Sequence, residues 1–546
     1  LEMRERFEKS TGGRRLAVRF GTFHSLFFQV LKAAYGYTAK DILSPRLKYR
    51  FMEEALLETE YDDIEDKKEF LEEIEKEISR IKGEGTDIEH YYSALCPEEI
   101  FRQIYRGYQS RVQKNHCLDF DDMVMYTYEL FQARPDILQN WQKRFRYILV
   151  DEFQDINPIQ YKLLKLWNQN GTQLFVIGDP DQSIYGFRGS SAACFEAFRT
   201  DYPMLHEITL TQNYRSTPEI LAAALPVISQ NPGPKRILHP QNPKGPKVRL
   251  ATAKSSEEEA AFLAGEIIRQ IGGVDMLQAH EAAHTEEKER NRSFGDIAIL
   301  YRTHRQAERI EQHLKQEGIP CIIGGKDPFL SNPTVRGTLC FFRHLLHPED
   351  TRSKEISLCL LFSNPEAYSK TAEKYGAEIQ KTKPQKLLTE WTSDLQLEKD
   401  QSLKKLTEMS YAAKTMEDFL NHLLLGIESD IQRHPGKHYT SDAVHLMTLH
   451  GSKGLEFPVV LLCGLQKGLL PLETGAGQTN LTEERRLFYV GMTRAREELI
   501  LLTSESPSCF LKELPEDTVN QEEAQTKRQK QKEIQLNLFD WINEKQ

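Results

Sequence analysis

The sequence predicts an α/β protein built on parallel sheets, and three observations carry that reading. Short apolar runs of four to six residues recur along the 546-residue chain. Continuous runs of this kind mark strands buried on both faces. Helical patterns follow them, and such alternation lays helices over a parallel sheet. The polar residues with chemistry in them stand just past the ends of the runs, where open α/β sheets place their functional groups.

A chain of 546 residues exceeds the roughly 250–300 that one hydrophobic core sustains, so several domains are expected. Hydrophobic residues make up 39% and charged residues 28%, an ordinary globular balance that argues against a disordered chain. Against 71 Lys and Arg stand 81 Asp and Glu, a net charge of −10. This excludes a wholly basic nucleic-acid binder and leaves room for a local basic groove. No apolar run approaches the ~18–20 residues that cross a bilayer, so no membrane association is expected. The opening LEMRERFEKS has no signal-peptide core. The eight cysteines include no CxxC pair, so they offer neither a zinc site nor a disulfide framework. A reducing, cytoplasmic setting fits.

In chain order, Leu1–Phe7 reads as the middle of a helix. Because it begins at leucine, residues are expected upstream of it. From Tyr37 to Asn140 the pattern is helical and charge-rich, as in Lys67–Lys82. Arg146–Asp155 (RYILVDEFQD) and Gln173–Gln182 (QLFVIGDPDQ) read as strands with their functional ends. Pro226–Pro246 carries six prolines and reads as an irregular connection. Asp296–Arg302 (DIAILYR) is a further strand, and Lys326–Tyr439 is helical again. Ala443–Lys453 (AVHLMTLHGSK) and Phe457–Leu465 (FPVVLLCGL) return to the strand pattern. Beyond Ser506 the chain turns polar and reads as a flexible tail.

Two segments carry most of the chemistry. At Ile148–Asp155 an apolar strand ends in Asp151-Glu152. The first carboxylate can hold Mg²⁺ through water, and the second can orient or deprotonate an attacking water, as nucleotide hydrolysis needs. A strand ending in a solvated acidic turn is the alternative. At Gly178–Gly189 a glutamine able to sense a phosphate, Gln182, precedes the cluster Tyr185, Phe187 and Arg188. Aromatic faces with an arginine nearby suit stacking on unpaired bases, while a core aromatic pair in a βα loop is the alternative.

DEFQD followed by GDPDQSIYGFRG resembles the UvrD/Rep (PcrA-like) family of superfamily 1 DNA helicases, and further segments keep that family's order. Gly21–Ser25 (GTFHS) and Leu118–Asp122 (LDFDD) look like its two early DNA-contacting motifs. Gln212–Thr217 matches the NYRS element, Thr448–Phe457 the HxxKGLEF element, and Glu483–Ala495 the EERRLxYVxxTRA element.

The resemblance implies an ATP-dependent DNA helicase or translocase of DNA repair or replication, moving 3′ to 5′ on single-stranded DNA and acting at DNA junctions, with ATP and Mg²⁺ as cofactors. It implies two RecA-like P-loop NTPase-type domains with parallel sheets, each carrying a helical insertion. The first would comprise residues 1–36 and 141–212, with its insertion at 37–140. The second would comprise 213–326 and 440–505, with a shortened insertion at 327–439, and 506–546 would be the flexible tail. Asp151 would hold Mg²⁺ and Glu152 would be the catalytic base. Gln182 would report on the γ-phosphate, and Arg215 and Arg494 would reach it as fingers. Tyr214 would stack on adenine and Glu456 would lie near the ribose. Thr22, Phe23, His24, Tyr185, Phe187, Arg188, His450 and Lys453 would follow the single strand. The family usually has tryptophan where Phe187 stands.

The family also needs a P-loop, GxxxxGK[ST], to cradle phosphates. The only Gly-Lys pairs are Gly325-Lys326 and Gly436-Lys437, followed by Asp327 and His438, so neither is one. An N-terminal truncation is the expected reason, leaving this chain inactive alone. A natural loss would instead make it a non-catalytic DNA- or clamp-binding homologue. Two weaker motifs remain. His280–His284 fits HExxH, the zinc-hydrolase helix signature, but lies in a polar stretch typical of a surface loop. Gln535-Leu536-Asn537-Leu538-Phe539 resembles the peptide that docks on the bacterial sliding clamp, with leucine and phenylalanine anchors for an apolar pocket.

Overall fold

The computed structural model describes residues 2–12, 17–59, 61–62, 64, 66–169, 171–191, 193–234, 236–272, 292–324, 332–348, 350–362, 364–413, 415–426, 442–473, 479–504 and 506–524. They divide into two compact units. Residues 1–148, 158–173 and 327–431 make up one, and residues 149–157, 174–326 and 432–546 the other.

The first unit is helical. Its Phe23–Tyr35 helix starts where the Thr22 hydroxyl accepts the Ser25 N–H at 3.2 Å and stops at Gly36, whose φ of 75° suits a residue without a Cβ. The Phe120–Ala133 helix opens on a reciprocal cap. Asp119 accepts the Asp122 N–H at 2.7 Å, and Asp122 accepts the Asp119 N–H at 3.0 Å. Lys67–Glu84 and Glu98–Lys114 pack through Leu71, Ile74, Ile78, Phe101 and Ile104, all fully buried. Phe27, Phe131 and Trp141 gather around Trp167 on the Pro158–Asn168 helix. Helices between Pro333 and Gly426 form a further core around Phe341, Phe342, Tyr375 and Trp391. Both stretches expected to be helical insertions are helical.

Strands β1 (Tyr147–Val150) and β2 (Gln173–Val176) form a two-stranded sheet. The Gln173 N–H donates to the Arg146 carbonyl at 2.9 Å and the Ile177 N–H to the Val150 carbonyl at 2.8 Å, a parallel register. One face of this pair is bare, with Leu149 72% exposed, Phe175 54% and Ile177 50%. A second short parallel pair joins β3 (Gln212–Asn213) to β4 (His239–Pro240).

The second unit is built on a seven-stranded sheet of β5 (Val248–Thr252), β6 (Ile297–Tyr301), β7 (Cys321–Ile323), β8 (Val444–Thr448), β9 (Phe457–Leu462), β10 (Ala495–Thr503) and β11 (Val519–Glu523), in the order β11-β5-β10-β9-β6-β8-β7. Neighbours pair in parallel throughout, with Leu300 opposite both Leu462 and Met447. All five residues of β6 are buried, as a strand covered on both faces requires. The Pro218–Ile228 and Leu481–Met492 helices cover one face through Ala223, Val227, Leu487 and Phe488. Ser256–Gln270 and His304–Gln316 cover the other through Leu263, Ile267, Ile310 and Leu314.

Two expectations are corrected. The polar segment after Ser506 is not wholly a flexible tail, because Val519–Glu523 adds to the sheet as an edge strand paired with Val248–Thr252. The irregular connection starts only after Ile228, since the Pro218–Ile228 helix runs through Pro226. Complete burial of Ala223, Ala224, Val227 and Ile228 outweighs the proline's cost of about 3 kcal/mol. Residues 174–212 group with the seven-stranded sheet in one compact unit. Among the described residues, no helix is long and apolar enough to cross a membrane.

Candidate functional site

β1 delivers Asp151 and Glu152 at its carboxyl end. Asp151 is exposed, and its Oδ1 accepts the Glu152 N–H at 3.0 Å. Glu152 adopts φ 52°, left-handed backbone that a non-glycine residue takes at a cost. Gln154 stabilises this turn. It is 1% exposed, its amide donates to the Glu152 carboxylate, and its Oε1 accepts the Asp179 N–H at 3.0 Å. The two segments that carry most of the chemistry are thus tied by one glutamine. In the second, Gln182 donates to Asp179 Oδ2 at 2.8 Å, and burial raises the Asp179 carboxyl above its ordinary value. A bidentate ion pair from Arg236 to Asp181, at 2.7 and 2.8 Å, fixes the turn.

Lys453 joins these carboxylates to the aromatic turn. Only 4% exposed, its ammonium donates to Asp155 Oδ1 and to the Gln182 carbonyl, both at 2.6 Å, and lies 3.9 Å from Glu152. It also sits 5.1 Å from the centre of the Tyr185 ring. Tyr185 and Phe187 have ring centres 6.0 Å apart, and the His450 imidazole meets them at 6.2 and 5.4 Å. Phe187 is 41% exposed, so one aromatic edge of the cluster faces solvent. Lys453, expected along the track of the single strand, here has its charge paired inside the protein.

The arginines lie together. Arg494 is 1% exposed and donates to the Val490 carbonyl at 2.9 Å and the Leu455 carbonyl at 3.1 Å. It has no carboxylate partner among the described residues. Burial, reinforced by the charge of Arg215, pushes its guanidinium down to about 9. It therefore stays protonated at neutral pH, a buried cation whose environment favours an incoming anion. Arg215 donates to Glu456 at 2.8 Å, and Arg496 lies 3.8 Å from the same carboxylate. The two residues expected at different parts of a nucleotide, Arg215 and Glu456, are here paired with each other. Tyr214 is 69% exposed, and its hydroxyl donates to Gln212.

Thr22, Phe23 and His24 belong to the helical unit. Thr22 caps a helix, Phe23 stacks on Phe27 at 5.8 Å, and His24 meets Phe120 edge-on at 5.7 Å. In the segment Leu118–Asp122, expected to touch DNA, Leu118, Asp119 and Asp122 are buried while Phe120 and Asp121 are half-buried. Lys82, Asp119 and Asp122 are each 1% exposed or less, and Lys82 bonds both carboxylates at 2.6 Å. Tyr108 adds a bond to Asp119 at 2.8 Å. These acids hold helices together.

The Arg188 side chain, His280, His284 and Gln535, Leu536, Leu538 and Phe539 lie outside the described residues. Among those described, no three His, Cys, Asp or Glu side chains cluster as a metal site. Sequence reasoning missed the roles of Gln154 and Asp155, which stand within the DEFQD run and find their partners in segments distant in sequence.

Residues 1–203 match the family described as UvrD/REP helicase N-terminal domain, and residues 208–364 and 363–506 match the UvrD-like helicase C-terminal domain. The chain is similar to the ATP-dependent DNA helicase Rep of Escherichia coli (strain K12), at 30% identity over 94% of this chain and 85% of that protein. It is equally similar to the ATP-dependent DNA helicase PcrA of Bacillus subtilis (strain 168), at 30% identity over 94% of this chain and 78% of that protein.

Proposed function

The chain belongs to the UvrD/REP helicase family, and on that premise we propose that it serves an ATP-driven DNA helicase that moves 3′ to 5′ on single-stranded DNA and acts at junctions in repair or replication. The observation that supports this most is the Lys453 bridge. One ammonium bonds Asp155 and the Gln182 carbonyl beside Glu152, and lies over the Tyr185 ring. Groups suited to phosphate chemistry and groups suited to base stacking are therefore held by one side chain.

In this reading Tyr185 and Phe187 stack on bases beside His450, each contact being worth ~1–3 kcal/mol. Thr22, Phe23, His24 and Arg188 are assigned to the same strand. Arg494 and Arg215 face the γ-phosphate, Gln182 reports on it, Tyr214 stacks on adenine and Glu456 meets the ribose once Arg215 turns away. Glu152, held by Gln154, takes the proton of the attacking water. The donor set fits Mg²⁺: Asp151 is an exposed carboxylate whose second oxygen has no hydrogen bond among the described residues. When bound, Mg²⁺ would neutralise charge on the phosphates. The 546 residues contain no GxxxxGK[ST], so single-strand binding and ATP turnover need separate measurement.

The test measures binding of a labelled oligo-dT and ATP hydrolysis, with and without DNA, for the wild type and Glu152→Gln. Single-strand binding unchanged by Glu152→Gln, with any DNA-stimulated turnover abolished by it, is the expected result. Absence of DNA binding, or stimulated turnover that survives the substitution, would overturn the reading. The same proposal assigns Gln535, Leu536, Leu538 and Phe539 to docking on a bacterial sliding clamp. A clamp pull-down lost on Leu538→Ala and Phe539→Ala would support it, and one that is unchanged would refute it.

A further inference from the structure

The Gly186 N–H donates to Glu483 Oε1 at 2.8 Å, across 297 residues of sequence. Gly186 stands between Tyr185 and Phe187, at the centre of the aromatic turn. Glu483 stands in the first turn of the Leu481–Met492 helix, whose far end leads through Thr493 into Arg494. A glutamate at this position of a helix ordinarily folds back onto its own N-cap amide. Here the cap is made by Asn480, whose side chain accepts the Glu483 N–H at 3.2 Å, while the Glu483 carboxylate reaches out to another segment.

A Cβ at Gly186 would run into the Glu483 carboxylate, so a side chain at that position would push the end of the glutamate out of its bond. Burial raises the Glu483 carboxyl above its ordinary value, and the Gly186 N–H works against that rise. The neighbours Glu484 and Arg485 anchor the helix elsewhere. Glu484 accepts both arms of Arg302 at 2.9 and 3.2 Å, and Arg485 grips Glu513 twice at 2.8 Å. The helix is thus fixed to the sheet, and Glu483 is left to hold the turn. A helix of 12 residues spans about 18 Å.

We propose that Glu483 is a positioning residue that holds the Tyr185–Phe187 turn against the helix that leads into Arg494, so that base stacking and the phosphate-facing arginine are referred to one rigid element. The inference rests on the single-strand binding proposed above. It uses no contact of Glu483 with DNA or nucleotide.

The experiment is a double-mutant cycle on the full chain, read as affinity for a fluorescein-labelled oligo-dT together with the thermal midpoint. Glu483→Ala and Gly186→Ala should each weaken binding several-fold, because one removes the hold and the other collides with it. The pair together should bind no worse than either alone, a coupling of about 2- to 100-fold. Glu483→Gln keeps an acceptor and should bind within about twofold of wild type at an unchanged midpoint, a rescue that loss of general stability would not give. Additive losses, or Glu483→Ala binding like wild type, would overturn the inference while leaving single-strand binding standing. Failure of the wild type to bind oligo-dT would instead remove the reading on which it depends.

Discussion

The Lys453 ammonium lies 2.6 Å from the Asp155 carboxylate, in surroundings that leave the two side chains 4% and 8% exposed. A pair so enclosed is expensive to break from one side, because the partner left behind is a desolvated charge. Lys453→Ala should therefore lower stability by about 3–5 kcal/mol in urea unfolding. Single-strand affinity should fall with it, since the Tyr185 ring loses the cation beside it. A loss under ~1 kcal/mol would show the pair to be solvated, contrary to its burial.

Phe187 offers the exposed part of the aromatic cluster. Phe187→Ala should weaken oligo-dT binding by about 1–3 kcal/mol while leaving the salt dependence unchanged, because a stacking contact releases no counterions. Phe187→Trp should bind at least as tightly. Titrations at two salt concentrations separate these effects, and a changed slope would assign Phe187 a place among charged contacts.

Arg494 should set function and stability against each other. Its guanidinium is buried without a carboxylate partner among the described residues, so Arg494→Met removes a cost of folding while taking a donor from the Leu455 carbonyl and leaving the Val490 carbonyl its bond from the Thr493 hydroxyl. The net change in unfolding free energy should stay within about 1 kcal/mol. Binding of a fluorescent ATP analogue should weaken by tenfold or more, about 1.4 kcal/mol. Equal loss in both would make Arg494 a structural residue.

Lys82 tests the internal role of Leu118–Asp122. Lys82→Ala leaves Asp119 and Asp122 buried together and should cost about 3–5 kcal/mol by chemical denaturation. Where the variant is still folded, its oligo-dT affinity should match wild type. Weakened binding at full foldedness would return this segment to the DNA track.

The Arg215–Glu456 pair gives a pH dependence of definite sign. Burial raises the Glu456 carboxyl, but the Arg215 bond and charge outweigh it, leaving it below its ordinary value of 4.5. A carboxyl lowered in the folded state contributes stability that is present above pH 4.5 and lost as pH falls through the folded value. Both partners are more than a third exposed, so the contribution should stay below about 1 kcal/mol. Glu456→Gln should flatten the thermal midpoint between pH 5 and 3 relative to wild type. A difference appearing only above pH 6 would contradict the pairing.

Legibility followed burial. The β6 and β9 strands were readable because they are covered on both faces, leaving only apolar residues between their polar ends, and β8 departs from that pattern only at His445 and Thr448. β11 was not readable, because Val519–Glu523 lies at an edge, where a polar VNQEE can pair by backbone alone. The ends of β1 and β2 were readable as chemistry, yet the arrangement of that chemistry was not. Lys453 meets Asp155 across 298 residues, and no spacing announces such a bond. The same holds for Asp119 and Asp122. Their pattern resembled a DNA-contacting motif, while the lysine that claims them stands 37 residues earlier to Asp119 and 40 to Asp122.

The bare side of the β1–β2 pair has a practical consequence. Parallel strands normally have both faces covered, and Leu149, Phe175 and Ile177 present a ledge of apolar side chains beside the functional carboxylates. Such a ledge recruits other copies of itself as concentration rises. The colloidal behaviour of this chain should then be governed by three side chains rather than by its net charge of −10. Light scattering should fall on Leu149→Lys and Phe175→Lys at an unchanged thermal midpoint.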